Sequence, residues 1–250
     1  MSELYPYGLG ARRYREVLQE DFARLRSMAP RALDRPVPEC EGWTGADVLQ
    51  HTALVYLHKV ETMRRGDWPD PWPPEGLDEG AEPLGLIDEA HEQLVAELDA
   101  RDPAERSRTW WPQDQSVGFW VRRMAHETSV HRRDVESAAG EGTPIAADLA
   151  VDGIDEVLMV MLAGDWNDAP VATASGAAVV VSSGGHDWEV ALKPDQVEVL
   201  RAASGGAVAT VSGQPSEVLL WLWGRGPRPE VSGEEAVVTE LRERLGLATQ

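Results

Sequence analysis

The hydrophobic pattern changes character once along this 250-residue chain, and the change limits it to a helical part followed by a mixed one. Up to Leu162 the apolar residues recur at three- and four-residue steps. Tyr14, Val17, Leu18, Phe22, Leu25 and Met28 mark a first helix over 11–29, which Pro30 is expected to end. A second starts after Thr44 and runs to about Arg65: Thr44 can cap, Asp47 can answer three positions on, and Trp43 can staple onto Val48. Leu84, Ile87, His91, Leu94 and Leu98 mark a third over 84–100. A fourth spans 116–139 and stops at Gly140, and a fifth spans 147–163. Beyond a polar link at 164–170 the period shortens. Ala177–Ser183, Trp188–Leu192 and Ala207–Ser212 read as strands between Gly-rich turns, followed by helices at about 215–224 and 234–245. The expected architecture is α+β: an all-helical N-terminal domain over 1–165 and a smaller α+β domain over 166–250.

Charge narrows the partners. Asp and Glu number 43 against 23 Lys and Arg, a net charge of −20. Such a field repels phosphate backbones and anionic lipid, so no nucleic acid and no membrane surface are expected. An anionic substrate would need a local cation. The first residues carry no apolar signal core, and no run approaches the ~18 apolar residues of a spanning helix, so a cytoplasmic protein is expected. Cys40 is the single cysteine, which excludes an intrachain disulfide and a Cys-rich zinc site. It reads as a small buried packing residue. Residues 66–83 hold five prolines and two tryptophans and read as a loop long enough to carry function.

The chemistry concentrates in the fourth helix, in the run Ala125-His126-Glu127-Thr128-Ser129-Val130-His131. It is one residue too long for the H-E-x-x-H of zinc proteases. At ~100° per residue, His126 and His131 stand about 140° apart and cannot face one ion. Glu127 and His131 are four apart and share a face, so a carboxylate and an imidazole remain as a candidate pair of ligands. A third ligand must come from another helix. His51 and His58 both lie on the inward stripe of the second helix, and geometry alone does not choose between them. Two imidazoles and one carboxylate suit catalytic zinc, and also non-haem iron or nickel. His126 reads as a surface residue or a support to the ligands, His91 as structural, and His186 as solvated. Arg132 and Arg133 read as a solvated face near Glu136. Asp134 fits either a hydrogen bond to a ligand histidine or a plain surface charge. Trp221 and Trp223 read as packing.

Three segments carry a family resemblance. Val37-Pro38-Glu39-Cys40-Glu41-Gly42-Trp43-Thr44, followed by Asp47, Val48 and His51, resembles the opening motif of the mycothiol-dependent maleylpyruvate isomerases. Arg123-Met124-Ala125-His126-Glu127 through His131-Arg132 is similar to that family's second motif. Ser212-Gly213, Pro215-Ser216-Glu217 and Leu220-Trp221-Leu222-Trp223-Gly224-Arg225 are similar to its C-terminal segment. The resemblance covers about residues 10–226 with the motifs in order. It implies a DinB-like four-helix bundle, a sterol-carrier-like C-terminal domain, and Zn2+ or another divalent metal held by His51, Glu127 and His131. It also implies mycothiol as the thiol cosubstrate and Arg225 as an arginine acting near the metal. Arg123, one turn before Glu127, and Arg225 are the candidate catalytic cations, each balanced between substrate contact and structural ion pair.

The implied chemistry is addition of a thiolate to an activated C=C bond, rotation about the resulting single bond, and elimination to the trans alkene. The same thiolate could displace a leaving group, which makes an S-transferase on a small anionic or electrophilic substrate. The rivals are a non-catalytic protein holding a metal or small ligand, and a metal-dependent hydrolase. Monomer and homodimer both remain open.

Overall fold

The computed structural model describes residues 3–77, 82–166 and 174–249. Parts of the Pro/Trp loop, at 78–81, and of the polar link, at 167–170, lie outside the described residues. The chain divides into two compact units, Leu9–Thr143 and Met1–Gly8 with Pro144–Gln250. None of the described helices is long and apolar enough to cross a membrane.

The first unit contains α1 (Ala11–Ala32), α2 (Gly45–Arg65), α3 (Pro83–Asp99) and α4 (Val117–Ala138). α1 packs on α4, α3 packs on α2, and α2 also packs on α4. Leu25, Leu49, Tyr56, Ile87, Leu94, Phe119 and Trp120 are fully or almost fully buried between them, each such side chain contributing roughly 1.5–3 kcal/mol. Helix ends follow the local chemistry. Asp47 N–H donates to Thr44 Oγ1 at 3.4 Å, and Thr44 N–H donates to Asp47 Oδ2 at 2.7 Å, closing the expected capping box. Pro30 does not end α1, which runs on to Ala32; the proline removes one i→i−4 hydrogen bond close to the helix end.

α4 differs from a surface helix in being buried along nearly its whole length, polar residues included. The partners come from α1. Arg24 Nε donates to the buried Glu136 at 2.7 Å, and Arg132 lies between Asp21 at 3.3 Å and Glu136 at 2.9 Å. Thr143 N–H closes the ring on Glu136 at 2.7 Å. Burial acts to raise the Glu136 pKa, but Arg24, Thr143 and Arg132 outweigh it and hold the carboxyl below its ordinary range. The expectation of a solvated Arg132 is therefore corrected, because α1 lays its own acids across that face.

In the second unit α5 (Ala147–Glu156) continues into a π-helical turn, Val157–Leu162. The strands are β1 (Gly164–Asp165), β2 (Ala178–Ser183), β3 (His186–Leu192), β4 (Gln196–Leu200), β5 (Ala209–Gly213) and β6 (Glu230–Gly233). They form one sheet in the order β1-β4-β3-β2-β5-β6, antiparallel throughout except for β2 beside β5. α6 (Pro215–Leu222) and α7 (Glu235–Ala248) complete the unit. The division falls between Thr143 and Pro144, earlier than the expected 165/166, because α5 packs on α6 rather than on the bundle. Trp188 Nε1 donates to Asp155 at 3.0 Å, Arg201 clasps the same carboxylate at 2.6 Å, and Ile145 N–H donates to Ser216 Oγ at 2.9 Å. The α+β architecture holds; the fifth helix belongs to its second part.

Candidate metal centre

α2 and α4 bring three ligand-type side chains to one place. Contacts pair His51 with His131, Tyr56 with Thr128 and Lys59 with Trp120. Residue numbers rise on one helix as they fall on the other, so the helices run antiparallel. The start of α2 is fixed by a close approach: a Cβ on Gly45 would stand 2.3 Å from the Ala32 carbonyl oxygen. His51 follows six residues later, with the Trp43 ring 5.1 Å from its own. The segment before it is pinned where Val37 N–H donates to the Trp43 carbonyl at 2.8 Å.

One ligand atom each from His51, Glu127 and His131 lies within 4.8 Å of the others. Glu127 Oε1 stands 3.2 Å from His131 Nε2 and 3.5 Å from His51 Nε2. Ligands bonded at 2.0–2.1 Å in a tetrahedron stand about 3.3 Å apart, so these atoms fit a small divalent cation. The remaining atoms of the trio are held as ligand atoms require. His131 Nδ1 meets Asp134 Oδ2 at 3.0 Å, which turns Nε2 toward Glu127. Arg123 donates to Glu127 Oε2, which leaves Oε1 for the imidazoles. Among the described residues no other His, Cys, Asp or Glu joins the trio. The His51 side chain is 40% exposed while those of Glu127 and His131 are 11% and 9% exposed, so the trio is open on one side.

The local field favours positive charge. Burial alone would lower the His131 pKa, but Glu127 and Asp134 outweigh it and raise it to about 9. Burial acts to raise the Glu127 pKa, but Arg123, His131 and His51 hold it well below the carboxylate range. Two acids bracketing one imidazole are what a bound cation would neutralise.

The other expected residues separate cleanly. Asp134 is buried and serves His131, which settles its two readings. Arg123 is buried against Glu127. Arg225 belongs to the second unit, where it donates to the Trp223 carbonyl at 2.7 Å. His58 stands outside the trio; its Nδ1 meets Lys59 Nζ at 3.1 Å and Thr62 Oγ1 at 3.3 Å. His126 is no surface residue: it is buried, its ring 6.1 Å from Tyr14. His91 stacks on Phe22 at 3.5 Å. His186 is half-buried with its ring 4.5 Å from Tyr7, and Cys40 is half-buried rather than buried. Sequence reasoning passed over Lys59, whose ammonium sits among Trp68, Trp110 and Trp120. The available signal was a lysine two turns after His51 in a chain with only one other, Lys193.

Comparison with known proteins gives a consistent pattern. Residues 15–136 match the mycothiol maleylpyruvate isomerase N-terminal domain, and residues 148–240 match the C-terminal domain of the same proteins. A crystal structure of the mycothiol-dependent maleylpyruvate isomerase superposes with a TM-score of 0.65 at 15% identity, covering 94% of this chain and 97% of that one. A histidine-to-alanine mutant of that isomerase gives 0.60 at 13% identity over the same shares. Those likenesses show a shared fold. No curated protein sequence matches the chain.

Proposed function

This chain belongs to the mycothiol maleylpyruvate isomerase family, and from that premise we propose that it is a thiol-dependent metalloenzyme acting on a small electrophile, a cis–trans isomerase in the first instance. The observation that carries the reading is the convergence of His51, Glu127 and His131 within 4.8 Å, with three protein ligands and no fourth among the described residues. That count belongs to catalytic rather than structural zinc sites. A divalent cation held there would act as a Lewis acid, lowering the pKa of a thiol brought beside it.

The chain's own residues set the rest. Asp134 orients His131, Arg123 orients Glu127, and Trp43 packs on His51. The exposed edge of His51 is where cosubstrate and electrophile would enter. In the proposed reaction the thiol sulfur adds to the activated C=C bond and the electron pair moves to the conjugated carbonyl. Rotation and expulsion of the same thiolate then restore the alkene in its trans form. Atoms and electrons balance with no oxidant. An S-transferase would instead use the same thiolate to displace a leaving group from the electrophile and keep the new C–S bond. Cys40 is the chain's only thiol and lies outside the trio, which agrees with an exogenous sulfur.

The test is turnover of maleylpyruvate by the metal-loaded protein with and without mycothiol. Isomerisation that needs the thiol supports the proposal. Isomerisation or hydrolysis at the same rate without thiol overturns it.

A further inference from the structure

Among the described residues, Lys59 is a cation in ion-pair contact with no carboxylate. It lies eight residues after His51 on α2, about 12 Å along the axis, where α4 supplies Trp120 in place of Glu127. Its Nζ stands 5.0 Å from the Trp120 ring centroid, 5.9 Å from that of Trp110 and 6.0 Å from that of Trp68. Trp120 is fully buried, and its Nε1 donates to Ser107 Oγ at 3.0 Å and to the Arg108 carbonyl at 3.1 Å, so this ring is fixed. The polar partner of the ammonium is His58 Nδ1 at 3.1 Å. Burial and Lys59 itself lower the His58 pKa to about 4, which makes that nitrogen a neutral acceptor. An ammonium has three donors, and no carboxylate among the described residues pairs with this one.

Other cations of the same unit are neutralised directly: Arg24, Arg26, Arg64, Arg101 and Arg132 all lie against carboxylates. The other lysine, Lys193, forms an ion pair with Glu198 at 2.5 Å. In a chain of net charge −20, a cation held by ring faces and one neutral imidazole is a place for an anion from outside. Ring faces attract the ammonium, but they cannot occupy its remaining donors as a carboxylate does.

We propose that Lys59, floored by Trp68, Trp110 and Trp120, binds a carboxylate of the substrate and selects anionic over neutral electrophiles. The inference deepens the proposed function and rests on it for where the reacting carbon lies. Burial lowers the Lys59 pKa to about 8, with Glu127 pulling it up and Arg123 pushing it down. The ammonium form therefore predominates at neutral pH and feels the charges of the metal centre. Its role is binding and specificity, and no bond to the amine forms or breaks.

The probes are maleate and its uncharged dimethyl ester, titrated at constant ionic strength into zinc-loaded and into chelated protein. Calorimetry and tryptophan fluorescence follow binding, the latter reporting directly on the rings around Lys59. Wild type is expected to bind maleate saturably in both forms. Lys59→Met and Lys59→Gln should weaken it at least about tenfold, the loss of a charged hydrogen bond. Lys59→Arg should keep affinity within about threefold, as a retained cation would, and the ester should be indifferent to all three changes. Circular dichroism of two uncharged variants guards against misfolding in either one. Equal maleate affinity in wild type and both uncharged variants overturns the proposal, as does a wild type with no saturable response. The two readings fail separately: maleate binding that depends on Lys59 without thiol-dependent turnover refutes the thiol chemistry, whereas thiol-dependent turnover with affinity blind to Lys59 refutes the anion site.

Discussion

Glu127 gives each of its oxygens a separate task. Oε1 faces the two imidazoles and Oε2 lies on Arg123. Removing the guanidinium leaves a buried carboxylate free to rotate off its line and unpaired on one side. Arg123→Met is therefore expected to weaken zinc binding roughly 10–100-fold, the usual cost of losing such a support, measured by competition with a chromophoric chelator; an unchanged affinity would mean that Arg123 does not position Glu127. His91 makes a second residue-level test, away from the site. Burial lowers its pKa to about 4, and Asp88 only partly opposes this. The unfolded chain, with an ordinary value near 6.5, then binds more protons than the folded one between about pH 4 and 6.5. Stability from this group is full above that window and is lost as pH falls through it. His91→Leu should flatten the acid side of a denaturation-midpoint profile by up to one proton, and a profile parallel to wild type would refute the assignment. Part of this was legible in the residues. The i,i+4 spacing isolated Glu127 and His131, whereas His51 and His58 were equivalent by period and are separated only by which of them meets α4. The burial of His126 and Arg132 was not legible, because their partners on α1 lie over a hundred positions away in the chain.

Helix α2 carries both His51 and Lys59, so its start sets the register of everything that follows. Thr44 caps it, and Thr44→Ala is expected to cost about 1 kcal/mol as read by chemical denaturation. Gly45 is the stricter constraint. A methyl group there meets the Ala32 carbonyl carbon at 2.6 Å and its oxygen at 2.3 Å, both backbone atoms that cannot yield cheaply. Gly45→Ala should destabilise more than Thr44→Ala, although alanine is the better helix former; equal or greater stability would show that α1 and α2 are not in such close contact. The capping signal, the helix periods and strands β2, β3 and β5 could be read from sequence. β4 and β6 could not, since their faces are half-exposed and short. The fifth helix was found, but a period identifies a buried face without saying what covers it. That is why α5 belongs with α6 and not with the bundle.

On the scale of the whole molecule, the division of the chain assigns all three candidate ligands to Leu9–Thr143. The excess of acid repels anions at long range, so binding an anion needs a local cation. Metal binding to the folded state alone must also raise stability by mass action, by about 2.7 kcal/mol at a hundredfold excess over Kd. Zinc is accordingly expected to raise the melting temperature of wild type and to leave that of His131→Ala unmoved, as followed by calorimetry. The account rests most directly on which side chains hold the ion. Metal content per chain should be measured after zinc loading and gel filtration, for wild type and for His51→Ala and His131→Ala variants with wild-type circular dichroism. One zinc per wild-type chain and near-complete loss in both variants is the expected result. A full equivalent retained by either folded variant, or no zinc bound by wild type, would contradict the assignment of His51, Glu127 and His131 as the metal centre.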